Sequence, residues 1–272
     1  MATPIGNLLD ISLRALKILE NCDIIYCEDT RHTKKLLSFY NIKKPLYSYH
    51  EYSSEKSREH FLTQLQNHNS IVYVSDAGTP LISDPGFQLT KLCVEHNINI
   101  TMIPGPSAPI MALALSGLPT DQFCFLGFIP PKEQARQKFF AQIEDYKMTL
   151  IFFETPTRLV KSLSVIDQLY PHRQIVVAKE MTKLHEAFFR GTAKEILQNI
   201  NNHPVKGELV LLLEGQRQTK CENITDDEIR RILQEKSKSM TMKNAVNALA
   251  QETGLAKKRI YNISLAMKKQ SD

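Results

Sequence analysis

The chain has 272 residues, 42% of them hydrophobic and 23% charged, with 34 Lys/Arg against 29 Asp/Glu for a net charge of +5. That length suits about two domains with cores of their own, and the balance is that of a globular protein, not a disordered or fibrous one. No apolar run reaches the roughly 20 residues that cross a bilayer and no signal peptide opens the chain, so a cytoplasmic protein without a membrane partner is expected.

The chain opens on a turn, "ATPIGN" (2–7), where a doubly wound sheet opens on a strand that becomes central. Either one strand is missing or the start recorded here lies downstream of the true one. Apolar runs then recur at 23–27, 71–74, 98–103, 149–153, 174–178 and 208–213. They are rich in Ile and Val and several lack polar alternation, as strands covered on both faces do. Between them, pieces such as "ISLRALKIL" and "TRLVKSLSVIDQLY" repeat apolar residues at helical spacing. Alternation of this kind predicts an α/β fold with largely parallel sheets.

Pro and Gly cluster at 116–131, which sets a boundary near residue 118. After the last strand, 225–238, 242–254 and 256–269 read as three helices, with Thr225 and Glu228 spaced as a capping box and Gly254 as a stop signal. The expected organisation is therefore an α/β domain at 1–117, a second at 118–220 and a small helical module at 221–272. Cys22, Cys27, Cys93, Cys124 and Cys221 are scattered with no C-x-x-C pair, which fits reduced thiols and neither a disulfide frame nor a zinc site.

Charge is unevenly spread. From Lys236 to the end, eight Lys/Arg face two acids, so this tail carries +6 and the remainder is nearly neutral. A basic end on a neutral body suits a polyanionic partner such as nucleic acid. Lys257, Lys258 and Arg259 stand at the start of the last helix and Lys268 and Lys269 near its end. The competing reading is a dimerisation or capping bundle with a solvated basic face, in which Tyr261 packs inside.

Three turn-rich segments follow apolar runs or the chain start: 2–7, "SDAGTPLISDPG" (75–86) and "PGPSA" (104–108). Loops at strand ends are where open α/β sheets hold ligands. Gly78 and Gly105 permit close backbone approach, while Pro4, Pro80, Pro104 and Pro106 stiffen the walls. None of the ten glycines forms G-x-G, so dinucleotide and Walker A phosphate cradles are absent. No metal-ligand cluster is expected.

These segments, with "EDTRHTKKLL", "FFETPTRL", "KEMTKLHEAFFRGT" and "KGELVLLLEG", resemble the tetrapyrrole methylase superfamily. More closely they resemble its family that 2′-O-methylates a cytidine of small-subunit (16S) ribosomal RNA. The likeness runs from residue 2 to the C-terminus. It implies a two-domain tetrapyrrole methylase-like fold with the small C-terminal helical module added, S-adenosylmethionine as cofactor, and a homodimer. The partner is then small-subunit ribosomal RNA or the assembled small subunit. Pro4, Gly6, Asp76, Ala77, Gly78, Pro80, Pro104, Gly105, Ser107 and Ala108 would line the cofactor pocket.

In "EDTR", the resemblance implies that Glu28 or Asp29 takes the proton of the ribose hydroxyl and Arg31 pairs with a phosphate. The local alternative is an Asp29–Arg31 helix cap. Arg158 and Lys183 sit in charged loops suited to RNA, to the cofactor or to ion pairs. Lys257, Lys258 and Arg259 would grip RNA. This chain departs from the family's pattern at Thr157, where His is expected, and at Lys179, where Arg is usual. It also begins inside the family's first strand, so one wall of the cofactor site is expected to be incomplete. A tetrapyrrole acceptor on the same fold and a catalytically silent RNA-binding assembly protein are the alternative readings.

Overall fold

Ile24–Cys27 (β1) is buried at all four residues, the condition for a strand covered on both faces. In this computed structural model residues 1–50, 55–67, 70–202, 205–216, 225–238, 240–253 and 255–269 are described. The chain divides into two compact units, Met1–Glu144 with Met148–Glu214, and Asp145–Lys147 with Gly215–Asp272.

The first unit holds two sheets. In one, β1 lies between Leu46–Ser48 (β2) and Ile71–Val74 (β3), with both pairings parallel. Successive side chains of β1 point to opposite faces. Ile25 and Cys27 pack with Ala15 and Leu19 of Leu13–Asn21 (α1) and with Leu36 and Leu37 of Thr30–Phe39 (α2). Ile24 and Tyr26 pack with Phe61 of Glu55–Gln66 (α3) and Leu89 of Phe87–Glu95 (α4). Helix α1 starts where the Ser12 hydroxyl accepts from the Ala15 amide at 3.1 Å.

The other sheet takes the order β4-β5-β8-β6-β7, from Phe123–Phe128 (β4), Thr149–Glu154 (β5), Ile175–Lys179 (β6), Ala187–Gly191 (β7) and Leu209–Leu213 (β8). Only β4 and β5 pair in parallel; the other three pairings are antiparallel. The expectation of largely parallel sheets therefore holds for the first sheet and not for the second. The reason lies in β8. Leu209, Leu211 and Leu213 enter one core, with residues of Glu133–Gln142 (α6), Pro156–Leu169 (α7) and Ala193–Asn202 (α8). Val210 and Leu212 enter another, with Ala112 and Leu113 of Ala108–Ser116 (α5). A strand covered twice is continuously apolar whichever way it runs.

Helix α5 ends under Arg190 of β7, whose Nε and Nη2 donate to the Ser116 and Leu115 carbonyls at 3.1 and 2.6 Å. That satisfies carbonyls left unpaired at the helix end and sets a cation at its negative pole. One sequence expectation fails in this unit. The run at 98–103 forms no strand. Ile103 is buried and its carbonyl accepts from the Ala2 amide at 3.1 Å, but Ile100 and Met102 are exposed. The Pro/Gly cluster at 116–131 contains β4, an edge strand whose partial burial hides it among turn residues.

In the second unit Asp226–Ser237 (α9), Met242–Thr253 (α10) and Lys257–Lys269 (α11) close around Ile229, Leu233, Val246, Leu249 and Ile260. The capping box is present: the Glu228 amide donates to Thr225 Oγ1 at 3.3 Å, and the Thr225 amide donates to Glu228 Oε2 at 2.9 Å. Tyr261 is not a bundle residue. It is 51% exposed, because Ile260 and Ile263 take the inward positions beside it. Gly254, Cys221 and the side chains of Lys268 and Lys269 lie outside the described residues. No helix among the described residues is long and apolar enough to cross a membrane.

Candidate functional site

The three turn-rich loops meet and are stitched together. Thr3 and Gly78 form an isolated antiparallel bridge, with N–H to O distances of 2.9 and 3.0 Å. Thr3 Oγ1 donates to the Ser75 carbonyl at 3.3 Å, and Thr79 Oγ1 donates to the Pro106 carbonyl at 3.0 Å. Gly78 has φ +77° and a Cβ there would stand 3.2 Å from Ile5 Cγ2. Leu81 and Ser83 hold positive φ without being glycine, so the 75–86 loop carries backbone strain of the kind found at binding sites.

A cavity of about 350 Å³ opens inside the first unit. Ile5, Ala77, Gly78, Asp84, Ser107 and Ala108 line it from the loops around the first sheet. Phe128, Phe153, Glu154, Met181, Glu208 and Val210 line it from the second. Its size is of the order of small-ligand sites, about 300–1,000 Å³. A second cavity, about 320 Å³, shares Ile5, Ala77 and Glu208 with the first and is lined also by Pro4, Gly6, His32, Thr33, Lys35, Asp76 and Lys183.

Of the residues expected to line one pocket, Ala77, Gly78, Ser107 and Ala108 face the first cavity, while Pro4, Gly6 and Asp76 face the second. Pro80, Pro104 and Gly105 line neither. Gly105 supports the site from behind, since a Cβ there would stand 3.0 Å from that of Ala2.

"EDTR" forms a cap. Asp29 is the N-cap of α2, accepting from the Arg31 amide at 2.8 Å and taking the Arg31 guanidinium at 2.7 Å. The hydrogen bond from that guanidinium holds the Asp29 carboxyl down at about 2, which makes it a weak base. Burial pushes Glu28 up, helped by Asp76 and Asp29. Glu28, Asp29 and Arg31 line neither cavity; His32, Thr33 and Lys35, one turn further on, line the second.

Asp84 was not singled out by the sequence. Burial raises its carboxyl to about 6, with Glu28 and Asp76 adding to the rise and the Ser75 hydroxyl opposing it. It lines the first cavity. Its signal was its place in the 75–86 loop, where the "DPG" turn reads as backbone chemistry only.

Arg158 and Lys183 are engaged. Arg158 Nε lies 3.1 Å from Oε1 of Glu154, whose side chain is wholly buried and also accepts from Ser162 Oγ at 2.5 Å. Lys183 Nζ reaches Glu180 at 2.9 Å and Glu208 at 2.8 Å. Glu180 and Thr182 take positive φ in that loop, and the Asn7 amide donates to Thr182 Oγ1 at 3.1 Å. Gly6 fits beneath it because a Cβ would come within 2.5 Å of Lys183 Cγ. Lys257, Lys258 and Arg259 are exposed in the second unit, with Arg259 paired to Asp226 at 2.7 Å.

Residues 2–197 match the family model described as tetrapyrrole (corrin/porphyrin) methylases. The chain belongs to the tetrapyrrole methylase family. Among relatives of this methylase, a protein of Rickettsia prowazekii named ribosomal RNA small subunit methyltransferase I is 43% identical over 224 residues, covering 82% of this chain and 80% of that one. A Synechocystis protein of the same name is 40% identical, covering 98% and 96%. Solved structures share the methylase fold at low identity. A cobalt precorrin-4 methyltransferase aligns with TM-score 0.58 at 16% identity over 79% of this chain and 92% of its own. A uroporphyrin-III C-methyl transferase from Thermus thermophilus, complexed with S-adenyl homocysteine, aligns with TM-score 0.51 at 16% identity over 79% and 95%.

Proposed function

We propose that this tetrapyrrole methylase is an S-adenosylmethionine-dependent methyltransferase acting on the 2′-hydroxyl of a cytidine ribose in small-subunit ribosomal RNA. The observation that carries the reading is the first cavity, where the loops bridged by Thr3 and Gly78 meet the apolar wall of the second sheet. Support for the acceptor comes from the two relatives, one of them matched over nearly its full length, both named for small-subunit ribosomal RNA.

The residues fit the cofactor. Ile5, Phe153 and Met181 give an apolar wall for a nucleoside, while the backbone at Gly78, Ser107 and Ala108 offers amides and carbonyls without bulky side chains. Asp84 and Glu208 bring carboxylates to a cavity that would receive a positive sulfonium. S-adenosylmethionine held there would supply an electrophilic methyl group for the ribose oxygen, with S-adenosylhomocysteine as the product left in the cavity and the hydroxyl proton passed to a base.

The chain's own contribution is alignment and proton handling. Stiff loops fix donor and acceptor with little entropy left to lose. Asp84, raised to about 6, is mostly ionised at neutral pH and is suited to receiving a proton there. The exposed Lys257, Lys258 and Arg259 supply phosphate contacts for the RNA. A cytoplasmic homodimer completes the reading.

Calorimetric titration of the full chain with S-adenosylmethionine tests it. Stoichiometric binding that S-adenosylhomocysteine displaces is expected. No binding of either compound would leave the silent RNA-binding protein as the better reading.

A further inference from the structure

The second cavity is adjacent to the first and, like it, has a mostly apolar lining, here from Pro4, Ile5, Leu8, Leu36 and Ala77. The buried Thr3, Thr33 and Ser75, each 3% exposed or less, stand among them. The charged side chains of its lining have local partners. Lys183 pairs with Glu208 at 2.8 Å, and Asp76 Oδ1 accepts from the Asp29 amide at 3.1 Å. Its mouth is basic, with His32 and Lys35 exposed on α2 and Lys34 exposed between them in sequence. The partition from the first cavity is thin, made by Ile5, Ala77 and Glu208, which line both.

A mostly apolar pocket with a few polar side chains behind a basic mouth suits a base and ribose carried between phosphates. An Asp accepts well from the exocyclic amine of cytosine, and lysine grips phosphate as a point charge. A free anion would meet the carboxylates of Asp76 and Glu208 in the lining.

We infer that the second cavity is the acceptor-nucleotide subsite. A single unstacked nucleotide enters it with base and ribose against the Thr3, Thr33 and Asp76 lining, its flanking phosphates held outside by Lys35 and His32. The two cavities adjoin at Ala77, the smallest of the residues they share, and it is past this side chain that the ribose oxygen would meet the methyl carbon. Nucleotides handled singly by enzymes are commonly taken out of the stack, and a single-stranded acceptor lowers that cost. This inference rests on the proposed methyl transfer and adds to it the residues that receive the acceptor.

The test uses the full chain saturated with S-adenosylhomocysteine and titrated with cytidine 3′,5′-bisphosphate, a nucleotide flanked by phosphates on both sides. Binding is expected without displacement of S-adenosylhomocysteine. Lys35→Ala should weaken it about tenfold or more, as loss of a charge-assisted contact does, and Lys35→Arg should restore most of it. In methyl-transfer assays Lys35→Ala should raise KM for the RNA far more than it lowers kcat, with S-adenosylhomocysteine affinity unchanged.

Competition between the two ligands, no binding of the bisphosphate to the unsubstituted chain, or an unchanged affinity in Lys35→Ala would each overturn the assignment. The two readings fail separately. If S-adenosylhomocysteine does not bind and no methyl is transferred, the proposed function falls. If methyl transfer proceeds but the bisphosphate outcomes fail, the subsite alone falls.

Discussion

Thr3 and Gly78 exchange both backbone hydrogen bonds, at 2.9 and 3.0 Å, and so tie the first loop of the chain to the loop that follows β3. The pairing works because Gly78 takes φ +77°, with no Cβ to meet Ile5 Cγ2. Gly78→Ala should cost roughly 1–2 kcal/mol in urea unfolding, the penalty for a side chain in the left-handed region. Gly78→Val should in addition weaken S-adenosylhomocysteine binding by more than about tenfold, because the loop is a wall of the cavity. Unchanged affinity in the valine variant would remove this loop from the donor site.

Arg158 answers a wholly buried carboxylate. Arg158→Ala leaves Glu154 with its Ser162 and Thr155 hydrogen bonds but no cation. The expected loss is about 2–3 kcal/mol, below the range for a fully buried pair because the guanidinium is 24% exposed. Adding Glu154→Gln should recover part of that loss. A single variant as stable as the parent would show that Arg158 is available for RNA after all.

Much of this was legible in the residues. The Pro/Gly loop at 75–86 marked the end of β3, and Thr225 with Glu228 marked a helix start that the structure reproduces. The direction of the second sheet was hidden, because Leu209–Leu213 serves a core on each face and its apolar run carries no sign of strand polarity. The split of one expected pocket into two was hidden as well. Neighbours in the 2–7 and 75–78 loops face opposite sides, so Pro4 and Asp76 part company with Gly78. His32 and Lys35 lie in the quoted "EDTRHTKKLL", behind the two acids that drew attention first, of which the helix cap consumes Asp29.

Asp84 and Asp29 give opposite pH dependences. Asp84 binds its proton more tightly folded than unfolded, its carboxyl rising from 3.8 to about 6. Its ionisation therefore erodes stability as pH rises from about 4 to about 6, by roughly 2–3 kcal/mol, and the loss persists above that. Asp29, lowered from 3.8 to about 2, contributes stability that is present above pH 4 and fades as pH falls toward 2. Asp84→Asn should flatten the first dependence, read as thermal midpoint against pH. It should also abolish a rise in methyl-transfer rate through pH 6. A variant whose rate profile matches that of the parent would exclude Asp84 as proton acceptor.

The basic start of α11 predicts a salt signature. Lys257→Glu with Lys258→Glu changes two exposed side chains, so folding should be preserved. Affinity for small-subunit RNA should fall, and the slope of log K against log salt should flatten by about 1.4 units on single-stranded RNA, the share of two phosphate contacts. Donor affinity should not move. An unaltered slope would favour the reading of this helix as a solvated face.

The most direct measurement is transfer of tritiated methyl from S-adenosylmethionine to small ribosomal subunits that lack the modification, followed by complete nuclease digestion and separation of the nucleosides. Label is expected in 2′-O-methylcytidine and nowhere else. Label on a base, or none on RNA while a tetrapyrrole is methylated under the same conditions, would contradict the assignment.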